Sequence, residues 1–209
     1  MGVDPYDTAN VIGKGSDGAF VLKRMLDLYA EPNILDFDEA GNVVNTEDMI
    51  TNKIVCDYTF RHDDPYSFYD DVIKTCWYYG VKAFPEMDKP GFAQWAVSNK
   101  YEGFLQIEPN AIINLTTRKA RIGKKASPEV IRQYTDLLKH YVYHYVWNCE
   151  HTRVLENWKN FTVKNRTKYD LTVASGYMEL AAMDERYKSD QGREDERQWG
   201  EGLYQHYPR

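Results

Sequence analysis

Cysteine is scarce in this 209-residue chain: Cys56, Cys76 and Cys149 are odd in number and far apart, with no Cys-x-x-Cys pair. A disulfide framework or a zinc ribbon is therefore not expected, and the thiols suit a reducing cytoplasm. Long apolar runs are missing as well. None reaches the length that spans a bilayer, no signal-peptide pattern opens the chain, and no membrane partner is expected. Met1-Gly2 begins like a myristoylation signal, but Tyr6 stands where Ser or Thr is required. No Gly-x-x-x-x-Gly-Lys-Ser/Thr motif occurs, so these residues carry no ATPase site of the P-loop kind; the loop GKGSDG at 13–18 resembles a phosphate cradle only superficially. No internal repeat is visible. A positive charge excess is lacking too: the net charge of −6 and a pI near 5.4 argue against a general polyanion binder.

What is present is ample material for a core, with 43% hydrophobic and 14% aromatic residues, enough for one well-packed domain. The charge is unevenly spread. Residues 118–125, RKARIGKK, hold five cations, and Lys159, Lys164, Arg166 and Lys168 cluster later, while acids gather at 31–48, 57–71 and 184–201. Such separation lets a chain grip a phosphate backbone locally and stay acidic overall.

Pattern and turn chemistry predict strands at 2–9, 19–30 (where the pattern also fits a helix), 53–60, 81–86 and 101–107. A helix is expected from Pro65, closed by Gly80, another over 89–100, the longest from Ser127-Pro128, and a last one over roughly 168–187. Residues 31–50 read as an excursion turning at Gly41-Asn42. Strands first, then strand–helix alternation, then helices indicate an α/β fold, a mixed sheet with helices on its faces. The domain is expected to cover 1–185, followed by a polar, mobile tail over 186–209.

Two motifs invite metal readings. Asp36, Asp38, Gly41 and Glu47 occupy positions 1, 3, 6 and 12 of an EF-hand loop, yet position 5 is Ala40 and Pro32 interrupts the entering helix, so a hairpin explains them better. His140 and His144 stand four apart with His151 beyond, but the HExxH glutamate is missing, and decoration of a Tyr-rich helix is the expected role.

Three acids at element edges form the sharpest constellation: Asp4 in the first strand, Glu86 ending the fourth, and Asp170 opening the last long helix, more than eighty residues apart in each case. Gathered by a sheet, such carboxylates need cations, and hard oxygen ligands select Mg²⁺ or Mn²⁺. Asp4 within GVDP, then DPYSFYDDVIKTCWYYGVKAFPEMDKPG, LTTRKARIG and LENWKNFTVKNRTKYDLTVASGYMELA, in that order, resemble the nuclease domain of bacteriophage large terminases, from about residue 2 to 183.

That resemblance implies a ribonuclease-H-like fold, with three antiparallel strands followed by parallel ones and helices on both faces. It also implies that Asp4, Glu86 and Asp170 hold two Mg²⁺ or Mn²⁺ ions and hydrolyse DNA phosphodiesters. Asp17, Asp88 and Lys89 are the expected supporting residues around them. Arg118, Lys119, Arg121, Lys124, Lys164, Arg166 and Lys168 would track double-stranded DNA phosphates without reading sequence. Where the family often has Asn-Lys and then Gly after its second acid, this chain has Met87-Asp88-Lys89-Pro90-Gly91. Implied partners are the terminase ATPase domain, the small terminase subunit and the portal, at the procapsid in the cytoplasm of an infected bacterium and not in the mature virion. The chain is expected to be a nuclease portion of a longer protein. Two rival expectations stay open, a junction resolvase of similar fold and a non-catalytic docking domain that contacts portal or capsid through the acidic tail.

Overall fold

A computed structural model describes residues 1–7, 16–25, 52–108 and 121–183. The excursion with its EF-hand-like residues, the first half of the GKGSDG loop, Arg118, Lys119 and the C-terminal tail lie outside the described residues. Four strands form one sheet: β1 (Gly2–Asp4), β2 (Gly18–Arg24), β3 (Lys53–Phe60) and β4 (Phe84–Pro85). Their order is β3-β2-β1-β4. β2 pairs antiparallel with both β1 and β3, whereas β1 and β4 run parallel. The fold class is therefore α/β with a mixed sheet, as the alternating elements predict.

Among the described residues five α-helices surround the sheet: α1 (Pro65–Tyr79), α2 (Gly91–Ser98), α3 (Pro128–Tyr145), α4 (Thr152–Asn160) and α5 (Asp170–Ala182). Local chemistry sets their ends. Asp64 caps α1 by accepting from Ser67 N at 3.0 Å, Pro65 opens it where no N–H is needed, and Gly80 closes it at φ 64°. Ser127 does the same for α3, accepting from Val130 N at 3.3 Å. Val3, Phe20 and Leu22 face α1 and α2, while Ala19, Val21 and Ile54 face α5. Every residue of α5 from Leu171 to Ala181 is buried, because the sheet covers one side and α3 and α4 cover others. Among the described residues no helix is long and apolar enough to cross a membrane.

Several expected boundaries change. The first strand stops at Asp4 because Pro5 has no N–H for the ladder. The fourth shrinks to Phe84–Pro85, since Val81 N is spent on the end of α1, donating to Cys76 O at 2.9 Å. Residues 101–107 are not a strand. Glu102–Phe104 form a 3-10 turn, and only isolated bridges follow, Leu105 to Ala83 and Ile107 to Ile122. Gly103 favours that turn over an extended run. Helix α4 has no counterpart in the sequence reading, because Val154 is its sole fully buried residue and its apolar signal is thin.

Glycine at position 2 allows the closest approach among the described glycines. A Cβ there would lie 2.0 Å from Ala174 O and 2.1 Å from Met178 N, so β1 rests directly on the α5 backbone. Gly2→Ala should therefore force β1 and α5 apart and destabilise the fold by about 1–3 kcal/mol, as overpacking does. Denaturant unfolding of both proteins measures this, and an unchanged midpoint would show that the two elements are not so closely apposed.

Candidate active site

The parallel pairing of β1 with β4 brings two of the three acids together. Glu86 N donates to Val3 O at 2.9 Å, so Glu86 leaves β4 beside the point where Asp4 leaves β1. The close contact of β1 with α5 brings in the third, because Asp170 opens that helix. Asp4 and Glu86 are both buried, at 2% and 4% exposure, and Asp170 is partly covered.

Each acid has a distinct setting. Asp170 is held by the turn before β2: Ser16 Oγ donates to its Oδ1 at 2.5 Å and Asp17 N to its Oδ2 at 3.0 Å. Arg61 secures that turn by donating to Ser16 O while its guanidinium lies 4.8 Å from the Tyr6 ring centroid. Glu86 Oε1 accepts from Arg166 Nη1 at 3.1 Å. Asp4 is the least compensated. Its Oδ1 accepts no hydrogen bond and faces Lys89 Nζ at 3.5 Å. Burial pushes the Asp4 carboxyl well above the usual carboxylate range; Lys89 opposes the shift, and the neighbouring charges of Glu86 and Asp170 add to it. Burial also raises the Asp170 carboxyl, against the bonds from Ser16 and Asp17.

The supporting residues divide. Lys89 is in place between acids, acting on both Asp4 and Asp170. Asp88 points to the rim, where Ala126 N donates to it at 3.3 Å and Arg166 Nη2 stands 3.8 Å away. Asp17 serves Asp170 through its backbone, while its own side chain is exposed. Lys124 pairs with the buried Glu108, and its backbone bridges that of Glu86. Arg121, Lys164 and Lys168 are exposed; Arg166 is turned inward onto Glu86 and Asp88. His151 is bonded through Nδ1 to Asp57 at 2.5 Å, whereas His140 and His144 lie ring to ring on α3 at 4.4 Å.

Sequence reasoning missed Ser16, Arg61 and Tyr134. A buried tyrosine on α3, Tyr134 packs over Gly176 of α5 and lies beside Arg166. Ser16 carried a signal in its place one residue before Asp17, in a loop rich in turn residues; Arg61 and Tyr134 carried none.

Donor chemistry fits a hard divalent cation: the converging groups are carboxylates, and a buried carboxylate oxygen lacks a hydrogen-bond donor. Among the described residues no group of three or more acidic, histidine or cysteine side chains is arranged so that it could hold a metal ion. Instead, Lys89 and Arg166 stand among the acids. Compared with known proteins, the chain matches no family model, no curated protein and no solved structure.

Because the folded protein favours protonated Asp4 and Asp170, it binds protons more readily than the unfolded chain over the range between their ordinary and raised values. Stability without divalent ions should therefore fall as pH rises from about 4 through that range. Asp4→Asn removes one such group, so the variant should be more stable than the wild type at neutral pH, with the advantage vanishing as pH falls towards about 4. Thermal unfolding of both proteins in a chelator across pH measures this, and a constant difference would contradict it.

Proposed function

We propose that this protein is a divalent-metal-dependent endodeoxyribonuclease of ribonuclease-H-like fold, the nuclease domain of a viral large terminase. The observation that carries the reading is the convergence of Asp4, Glu86 and Asp170, from three distant parts of the chain, around Asp4 Oδ1, which accepts no hydrogen bond and has only Lys89 Nζ at 3.5 Å beside it. The mixed sheet, antiparallel from β3 to β1 and parallel from β1 to β4, supports the same reading, as does the placement of helices on both faces. Its role is to cut concatemeric double-stranded DNA at the start and end of packaging, in the cytoplasm of an infected bacterium, with the ATPase domain, small subunit and portal as partners.

Hydrolysis adds water across a phosphodiester: a water oxygen bonds to phosphorus, the bond to one ester oxygen breaks, and that oxygen takes up a proton. Asp4, Glu86 and Asp170 would hold two Mg²⁺ or Mn²⁺ ions, which supply an activated water and neutralise charge on the leaving oxygen. The Ser16–Asp17 turn fixes the Asp170 carboxylate, so one ligand is oriented in advance. Burial of Asp4 and Glu86 excludes water from their flanks and strengthens their hold on a cation. Lys89 places a positive charge at the same point for a phosphate oxygen. Exposed Arg121, Lys164 and Lys168 supply phosphate contacts that position DNA without reading its bases.

Supercoiled plasmid incubated with Mn²⁺ or Mg²⁺ should be nicked and linearised, and Asp4→Ala, Glu86→Ala or Asp170→Ala should each lower the rate by about a hundredfold or more with the fold retained. Full activity in any one variant removes that residue from the site. No cleavage with any divalent ion favours a docking role, and a preference for branched DNA favours a resolvase. Neutralising Arg121, Lys164 and Lys168 together should weaken DNA binding and flatten its salt dependence by about one unit of slope for each phosphate no longer neutralised. An unchanged slope places the DNA elsewhere.

A further inference from the structure

Lys89 and Arg166 stand where the metal reading needs cations. Lys89 Nζ is 3.5 Å from Asp4 Oδ1, and Arg166 bridges Glu86 Oε1 at 3.1 Å and Asp88 Oδ2 at 3.8 Å. Together they carry two positive charges, the charge of one divalent ion. Neither is locked in place by burial, since their side chains are 35% and 25% exposed, against 4% for Asp4 and 5% for Glu86. Each has its charged end on a buried acid while part of its side chain stays exposed to solvent.

Their backbone settings agree with that reach. Lys89 follows β4 in the turn leading to Gly91, where α2 begins. Arg166 belongs to the 3-10 stretch Val163–Lys168, which has non-helical geometry at Asn165 and includes the exposed Lys164 and Lys168. Arg166 is thus the inward member of a basic run whose other members face solvent, where a DNA backbone would pass.

We propose that Lys89 and Arg166 are cationic placeholders that neutralise the acids in the metal-free protein, are displaced when divalent ions bind, and then clamp the phosphates of the DNA being cut. The proposal rests on the nuclease reading and adds a second role for two side chains of the same site. Buried carboxylates without a cation are strongly unfavourable, so a protein that must fold before it meets metal needs such a substitute. A long, partly exposed side chain can give it up at little conformational cost, and a guanidinium displaced from a carboxylate finds equivalent bidentate geometry on a phosphate. Competition with metal and attraction to DNA are then two uses of the same charge. The site is weakest for metal when no DNA is present to receive the displaced cations, so metal and DNA bind cooperatively.

Two affinities with opposite expected changes separate this from a structural ion pair. Calorimetric titration of the purified protein with Mn²⁺ alone should show Arg166→Gln binding Mn²⁺ on the order of tenfold more tightly than wild type, because a positive charge no longer competes. Lys89→Gln, at a more exposed position, should change in the same direction and provides the second test should Arg166→Gln fail to fold. The same variants should bind a double-stranded oligonucleotide more weakly than wild type in Ca²⁺, with a salt slope reduced by about one. Unchanged or weaker Mn²⁺ binding in a folded variant overturns the placeholder role, even if wild type binds Mn²⁺ and cuts DNA. Tighter Mn²⁺ binding with unaltered DNA affinity overturns the clamp. Wild type that binds no Mn²⁺ and cuts no DNA overturns the nuclease reading itself.

Discussion

The burial of one carboxylate, that of Asp4 at the end of a three-residue strand, is the constraint on which the rest of the molecule depends. A charge so enclosed is strongly disfavoured unless cations surround it, and two further acids beside it deepen the problem. A fold meant only for stability would place an apolar residue there. The surrounding elements instead work to keep the three acids together: β1 pairs parallel with β4 to bring in Glu86, and Gly2 lets α5 close on β1 to bring in Asp170. Lys89 and Arg166 then lower the electrostatic penalty from the rim.

This compensation contrasts with the ion pairs elsewhere. Lys23 and Glu179, 2.7 Å apart and both nearly enclosed, tie β2 to α5 with the lysine 5.7 Å from the Tyr141 ring centroid. His151 and Arg153 converge on Asp57 and tie the start of α4 to β3. In those pairs the cations meet a single acid and complete a structural contact. At the acidic cleft the acids Asp4, Glu86, Asp88 and Asp170 outnumber the two cations Lys89 and Arg166. That imbalance is why we propose the cleft, and not the other pairs, as the place for an incoming cation.

Legibility in the sequence followed the range of the interactions. Helix α1 could be read to the residue because Asp64, Pro65 and Gly80 fix both ends through contacts within a few positions. β3 was equally readable from its own β-branched and aromatic content. The segment 101–107 was not, since its bridges to Ala83 and Ile122 depend on distant partners and Glu102–Phe104 settle locally into a turn. The three acids could be named individually as edge residues, but their meeting depends on strand pairing and helix contact across more than eighty residues each time. Arg166 shows the limit best: its sequence neighbourhood reads as an exposed basic run, and only the third dimension turns it inward onto Glu86. Ser16 reaches Asp170, and Arg61 reaches the Ser16 turn that holds it, across long sequence separations; the turn chemistry marks Ser16 as a loop residue but nothing local ties it to Asp170.

The central claim is that divalent metal binds among Asp4, Glu86 and Asp170. A crystal soaked in Mn²⁺, with data collected for anomalous scattering from manganese, tests it most directly. The expected result is anomalous density in contact with Asp4 Oδ1 and at least one of the other two acids, with the Lys89 ammonium and the Arg166 guanidinium moved away from the carboxylates. Manganese absent from this cleft, with Lys89 still on Asp4 and Arg166 still on Glu86, would contradict it.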